Sequence, residues 1–284
     1  MTQITSGMAA VEGGKLYYET SGSADAPALI LLHAGVATLD MWKPQLEHFA
    51  DRFRVVAYDV RGYGRTESAD GKYSNRADLL ALMDHLGIEQ AIVVGCSRGG
   101  QIAVDFTLEN PSRVRGIVLV GAGLTGWDGK GCEFSADETE AEEAIEKAGV
   151  SGDWDSVDAL YLRMWYDGLN RPSEQVDPVF RAKGAAMLAM NRQHVAQLAA
   201  EKLQFIPLEP PSAVRLDEIN VPVLLIVGEL DPQSIHCIAE VFEKHIRGVK
   251  RVSMANTAHI PSLEHPAEFN AIVDDFLREK GFSK

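Results

Sequence analysis

The chain is short of cysteine, of aromatic side chains and of clustered positive charge, and it has no long apolar run. Each shortage excludes something. Three cysteines, Cys96, Cys132 and Cys237, stand far apart in 284 residues without a Cys-x-x-Cys pair. An odd number at that spacing argues against a disulfide framework and a zinc ribbon, and fits a reducing compartment. Lys and Arg total 27 against 41 Asp and Glu, a formal charge of −14. Without a basic cluster, neither nucleic acid nor an anionic membrane is an expected partner. No stretch approaches the roughly 18 apolar residues that span a bilayer. Residues 1–13 lack a basic start followed by an apolar run, so no signal peptide is expected. These absences make the cytoplasm the expected location.

What is present reads as an ordinary globular chain, with 46% apolar and 24% charged residues. A core of this size can be buried without staples. The length predicts one large domain, or one domain carrying an insertion. Short continuous apolar runs recur at 28–33, 54–59, 91–96, 116–121 and 223–228, with a weaker one at 249–254. Strands buried on both faces have this appearance. Residues 15–20 alternate, as an edge or antiparallel strand does. Helical patterns at 75–86, 99–109 and 266–280 lie between or after the runs. The alternation predicts a doubly wound α/β sheet.

Residues 122–220 break the alternation, with no strand-like run and with helical patterns at 136–148, 154–168 and 178–203. This is a helical insertion of roughly 100 residues. It holds much of the acid: Glu133, Asp137, Glu138, Glu140, Glu142, Glu143, Glu146, Asp153, Asp155 and Asp158, a solvated outer face by expectation.

Gly95-Cys96-Ser97-Arg98-Gly99 follows an apolar strand and opens a helix. Gly-x-Ser-x-Gly in that setting puts the serine on a sharp turn with its hydroxyl raised above the sheet edge. The glycines allow the helix to pack close to the strand, and the helix N-terminus offers free N–H groups. A hydroxyl needs a base, and the base needs an acid to orient it. Asp231, in Gly228-Glu229-Leu230-Asp231-Pro232, and His259, in Asn256-Thr257-Ala258-His259, both follow predicted strands. Strand C-termini are where ligands meet an open α/β sheet, and Ser97, Asp231, His259 stand in the chain order of this motif. Glu229 is the alternative acid. His33, His85, His236, His245 and His265 read as structural, and His194, in the insertion, as a helix residue. The second oxyanion donor is expected from His33-Ala34-Gly35-Val36, with the N–H of Gly35 first and Val36 as alternative, beside the N–H of Arg98. Asp59 and Arg61 read as ties between loops.

These pieces, LLHAGVATLDMW near 31–42, DVRGYGRT at 59–66, GCSRGG at 95–100, VGELDP at 227–232 and NTAHIPSLEHP at 256–266, resemble the α/β-hydrolase superfamily over nearly the whole chain. The resemblance implies a mostly parallel, eight-stranded sheet with helices on both faces. It implies a core of 1–121 and 219–284, with 122–218 a helical cap over the site. It also implies Ser97 as nucleophile, His259 as base and Asp231 as its acid. Two positions depart from the family: His33-Ala34 replaces the usual His-Gly, and Arg98 stands where Met, Leu, Gln or Trp is commoner. Arg98 could bind an anionic substrate group or pair with a neighbouring carboxylate.

The serine points to acyl transfer, where relatives with Asp at this position use a carboxylate nucleophile. Hydrolysis of a carboxylic ester is the leading expectation. Lactone hydrolysis, C–C bond hydrolysis, perhydrolysis and a slow-turnover ligand receptor are the alternatives. Val36, Trp127, Trp165 and Met187 are the expected substrate-pocket residues, with Tyr161, Met164, Phe180 and Met190 as further candidate walls. No metal-ligand cluster or dinucleotide fingerprint occurs, so neither a metal nor a cofactor is expected. The expected partner is a small-molecule ester or lactone, with a homodimer left open.

Overall fold

A computed structural model describes residues 3–199 and 202–283. The strands are β1 (Thr5–Val11), β2 (Gly14–Ser21), β3 (Ala28–Leu32), β4 (Arg54–Tyr58), β5 (Glu67–Ser68), β6 (Gly71–Tyr73), β7 (Ala91–Cys96), β8 (Val114–Val120), β9 (Leu203–Phe205), β10 (Val223–Gly228) and β11 (Lys250–Met254). The helices are α1 (Lys43–His48), α2 (Asn75–His85), α3 (Arg98–Glu109), α4 (Ala136–Ser151), α5 (Trp154–Tyr161), α6 (Pro178–Ala199), α7 (Gln233–His245), α8 (Pro261–Glu264) and α9 (Pro266–Glu279).

The main sheet runs β1-β2-β4-β3-β7-β8-β10-β11, with β5 attached to β2. From β4 to β11 every neighbour is parallel, while β1–β2 and β2–β4 are antiparallel. The apolar runs have this form because successive side chains enter different layers. Ile30, Leu32 and Val93 pack into one core with α2 and α3, and Leu29, Leu31, Ile92 and Val94 into the other with α1 and α9. A one-residue slip would exchange the two layers, so register is held by burial on both faces. The expected mostly parallel sheet, with helices on both faces, is the sheet observed; its main path has the expected eight strands, and the two-residue β5 on β2 makes a ninth.

Three expectations need correction. Residues 122–220 do contain a strand: β9 pairs in parallel with β6 as a separate two-stranded sheet. Three residues are too few to show a period. The helical pattern at 154–168 divides into α5 and a π-helical turn, Leu162–Asp167. The cysteines are not all free: Cys132 and Cys237, 105 residues apart, form a disulfide, and Cys96 alone is a buried thiol. Spacing concealed this pair because the start of the insertion returns over α7, a contact made only in three dimensions. The cysteine argument for a reducing compartment therefore loses its premise. Among the described residues, no helix is long and apolar enough to cross a membrane.

The disulfide is not the only tie at that point. The Glu138 carboxylate, fully buried in α4, accepts from Ser234 N at 3.2 Å and so caps the first turn of α7. Of the other nine acids from Glu133 to Asp158 all are exposed except half-buried Asp158, so the acidic face is a solvated one, while Asp167 farther along is buried against Arg181.

Closing a loop of about 100 residues by a disulfide stabilises by roughly 2–4 kcal/mol. Cys132→Ser is accordingly expected to unfold at lower temperature than the oxidised wild type. Reductant should bring the wild type down to the same midpoint and leave the variant unmoved. A wild-type midpoint indifferent to reductant would contradict this.

Candidate active site

The turn after β7 is fixed by close packing. A Cβ at Gly95 would lie 2.2 Å from Gly99 O, and one at Gly99 would lie 2.2 Å from Leu32 O. Both positions exclude any side chain, so α3 descends directly onto β7 and β3. Ser97, between them, takes φ 52° and ψ −114°, a region that L-residues rarely adopt. Such a conformation costs on the order of 1–3 kcal/mol and persists only where its surroundings enforce it. Here they do: Ser97 N donates to Val120 O at 2.8 Å, and Ser97 O accepts from Gln101 N and Gly123 N, each at 3.0 Å.

His259 and Asp231 meet from two other strand ends. His259 Nδ1 lies 2.5 Å from Asp231 Oδ1, with both side chains buried. The second Asp231 oxygen accepts from Gly228 N at 2.8 Å, which fixes the carboxylate's angle. His259 sits beside the serine turn. Its ring lies close enough to Gly121 that a Cβ there would be 2.9 Å from Nδ1, and Cys96 Sγ donates to its carbonyl at 3.5 Å. Nε2 is buried and has no hydrogen-bond partner among the described residues. A histidine held through Nδ1 with a free Nε2 can take a proton from a hydroxyl. Ser97 Oγ is not hydrogen-bonded to His259 Nε2 in this structure, and bonds of this kind often close only when substrate is bound. Glu229 is not at the imidazole; its carboxylate accepts from Asn256 N at 2.8 Å.

Gly35 adjoins the start of α3: a Cβ built on it would be 3.8 Å from Arg98 Cβ. Neither Gly35 N nor Arg98 N donates to a group among the described residues. His33 holds this loop. Its Nε2 accepts from Val60 N at 3.0 Å, which leaves the Nδ1 proton to donate to Ala34 O at 2.8 Å. Asp59 binds the neighbouring loops by accepting from Leu39 N and Arg65 N, each at 2.8 Å. Arg61 pairs with Asp78 and donates to Glu12 O and Gly13 O.

The Arg98 guanidinium makes no ion pair among the described residues. It donates to Tyr73 OH at 3.2 Å and lies over the rings of Tyr63 and Phe205, while its buried Nε has no partner.

The expected pocket residues scatter. Trp165 does reach the site: its ring centroid is 4.5 Å from that of His259, and its carbonyl accepts from His259 N at 3.2 Å. Val36 O accepts from Tyr166 OH at 2.8 Å. Trp127 packs on Phe134 beside the disulfide. Met187 and Met190 line a groove between α1 and α6, away from the imidazole. Met164 and Phe180 are buried, and Tyr161 lines a cavity of about 160 Å³ with Gly35, Tyr63, Trp154, Val157 and Leu188. The His194 side chain lies outside those described. His265 is exposed at the start of α9, His245 is exposed, His85 stacks on Tyr18, and His236 lies against Arg251.

A family model described as "alpha/beta hydrolase fold" matches residues 27–266. The chain belongs to the α/β-hydrolase family. It is 27% identical over 266 residues to 3-oxoadipate enol-lactonase 2 of Acinetobacter baylyi, covering 93% of each chain. It is 28% identical over 274 residues to carboxylesterase YbfK of Bacillus subtilis, covering 93% of this chain and 84% of that one. In fold it matches the enol-lactonase of Burkholderia xenovorans LB400 with a TM-score of 0.76, at 24% identity, over 96% of this chain and all of that one. Relatives that the chain resembles include esterases, lactonases and other hydrolases.

Sequence reasoning missed Tyr166, Arg171, Asn191 and Glu264. All four are buried groups that bind the backbone of the site loops, and no local pattern marks them. Arg171 donates to Asn256 O at 2.9 Å and pairs with Glu264 at 2.7 Å, while Glu264 accepts from Ala258 N at 2.8 Å.

Burial pushes the His33 imidazole down to about 4 from 6.5, against the pull of the Ala34 carbonyl, and the charge of Arg98 lowers it further. Below pH 6.5 the unfolded chain binds a proton here that the folded chain refuses until about pH 4. The contribution of neutral His33 is therefore complete above pH 6.5 and lost as pH falls toward 4, a difference of about 3 kcal/mol. The stability advantage of wild type over His33→Asn, measured by urea unfolding, should shrink by about that amount between pH 7 and pH 4. An advantage that does not change with pH would contradict the buried neutral state.

Proposed function

We propose that this protein is a serine hydrolase that cleaves a carboxylic ester through an acyl-enzyme. The observation that carries the reading is the pair of His259 and Asp231 beside a serine held in a strained turn. Ser97 Oγ attacks the substrate carbonyl while His259 Nε2 takes its proton, and Asp231 stabilises the imidazolium that forms. The N–H groups of Arg98 and Gly35 receive the oxyanion. The proton then passes to the departing alkoxide, which leaves as an alcohol. Water, deprotonated by the same imidazole, attacks the acyl carbonyl, releases the carboxylic acid and restores Ser97.

The substrate class follows from the cavity beside Gly35. About 160 Å³ bounded by Trp154, Val157, Tyr161 and Leu188 suits a small to medium apolar acyl group. Asp158 at the same cavity is paired with Arg192 at 2.9 Å and so offers no free charge to a charged acyl chain. The insertion, 122–218, acts as the cap over this space. A second reading, hydrolysis of a lactone by the same steps, is favoured by the enol-lactonases among the relatives. In that case the alcohol and acid remain one molecule.

Ser97→Ala should lower kcat/KM for p-nitrophenyl esters by roughly 10⁴-fold or more with the fold intact by circular dichroism. A panel of p-nitrophenyl esters of increasing acyl length, run beside five- and six-membered lactones, separates the two readings. An optimum at short to medium acyl chains supports ester hydrolysis, and higher kcat/KM on lactones supports the second reading. Full esterase activity in Ser97→Ala would overturn both.

A further inference from the structure

The loop that carries Gly35 is held from two directions. From below, His33 and Val60 fix its first residue through Ala34 O. From above, the insertion takes the carbonyls of Val36 and Ala37. Tyr166 OH donates to Val36 O at 2.8 Å, and Asn191 Nδ2 donates to Ala37 O at 2.9 Å. The Asn191 amide has a second partner. Its Oδ1 accepts from Gly64 N at 3.1 Å, in the loop after β4. One buried side chain on α6 thus joins two core loops. The Gly64 loop is itself held by Asp59, whose carboxylate accepts from Leu39 N and Arg65 N.

We propose that Asn191 is a positioning residue for the Gly35 amide: by bridging Ala37 O and Gly64 N it sets the loop that supplies half of the oxyanion hole. The inference rests on the ester-hydrolysis reading and extends it, since the insertion then builds part of the catalytic geometry as well as roofing it. The physical ground is that an oxyanion donor acts only from a narrow range of distance. The loop's own turn bond, Ala37 N to Ala34 O at 3.0 Å, closes it upon itself, and Asn191 is the side chain that ties its Ala37 end to the Gly64 loop. Asn191 is only 4% exposed, so either partner left alone would be a buried polar group without water.

Asn191→Asp and Asn191→Ala separate positioning from simple folding. The first keeps an acceptor for Gly64 N and removes the donor to Ala37 O; the second removes both. Asn191 also lines the cavity assigned to the acyl group, so acyl length is the control. Both variants are expected to lose about 10- to 100-fold in kcat by the same factor on acetyl and longer p-nitrophenyl esters, because the contact acts on the transition state and not on the acyl chain. The rate at which a fluorophosphonate probe labels Ser97 should fall by a similar factor. In that reaction the Ser97 Oγ–P bond forms, fluoride leaves, and the phosphoryl oxygen occupies the same hole. Circular dichroism at the assay temperature shows whether the loss is merely unfolding: both variants are expected to be less stable than wild type, so rates are compared only where each variant is fully folded. If wild type hydrolyses ester and takes the probe while both variants keep kcat and labelling rate within twofold, the inference fails alone. If wild type does neither, the hydrolase reading fails and takes this inference with it.

Discussion

The descent of α3 onto β7 and β3 is the constraint from which the rest of the site follows. Two glycines, Gly95 and Gly99, permit a backbone approach at which any Cβ would lie 2.2 Å from a carbonyl oxygen. The chain between them has too little room for an ordinary turn, so Ser97 is forced to positive φ. The same crowding leaves the first amides of α3 pointing out of the strand end with no helical partner. Nucleophile and oxyanion donors in the proposed mechanism are therefore consequences of one packing contact. The strain at Ser97 is held by the Val120 and Gly123 hydrogen bonds, which tie the turn to the end of β8.

The insertion is joined to that geometry at more than one loop. The π-helical turn supplies Trp165 against His259 and Tyr166 to Val36 O. Arg171 and Glu264 grip the loop that carries His259, and Asn191 grips the loop that carries Gly35. An extra residue in a helical turn re-aims the side chains that follow, and such bulges are frequent at functional sites. Here the turn places consecutive residues against two different loops, those of His259 and Gly35. Its acidic face, by contrast, is turned to solvent, apart from Glu138 and Asp158.

What could be read from the chain divides along physical lines. The central strands were legible because burial on both faces leaves uninterrupted apolar runs such as 91–96 and 223–228. The placement of Ser97, Asp231 and His259 at strand ends was legible because each sits in a short motif directly after such a run. The first strand, Thr5–Val11, was not: it is an edge strand in which only Ala9 is fully buried, and Thr5, Ser6 and Gly7 leave no continuous apolar run. Leu203–Phe205 is too short to show a period. The Cys132–Cys237 bond and the grips of Asn191 and Arg171 depend on how the insertion lies on the core, which no local pattern encodes. Met187 looked like a pocket wall because an apolar side chain on an insertion helix does not reveal which groove it faces.

The central claim is that Ser97 carries the acyl group during turnover. Its most direct measurement is peptide mass spectrometry on protein quenched with acid within a second of mixing with a short-chain p-nitrophenyl ester. The account predicts one acyl group per chain, on the peptide that contains Ser97, disappearing as substrate is consumed. Hydrolysis that proceeds with Ser97 unmodified, or with the acyl group on another residue, would contradict it.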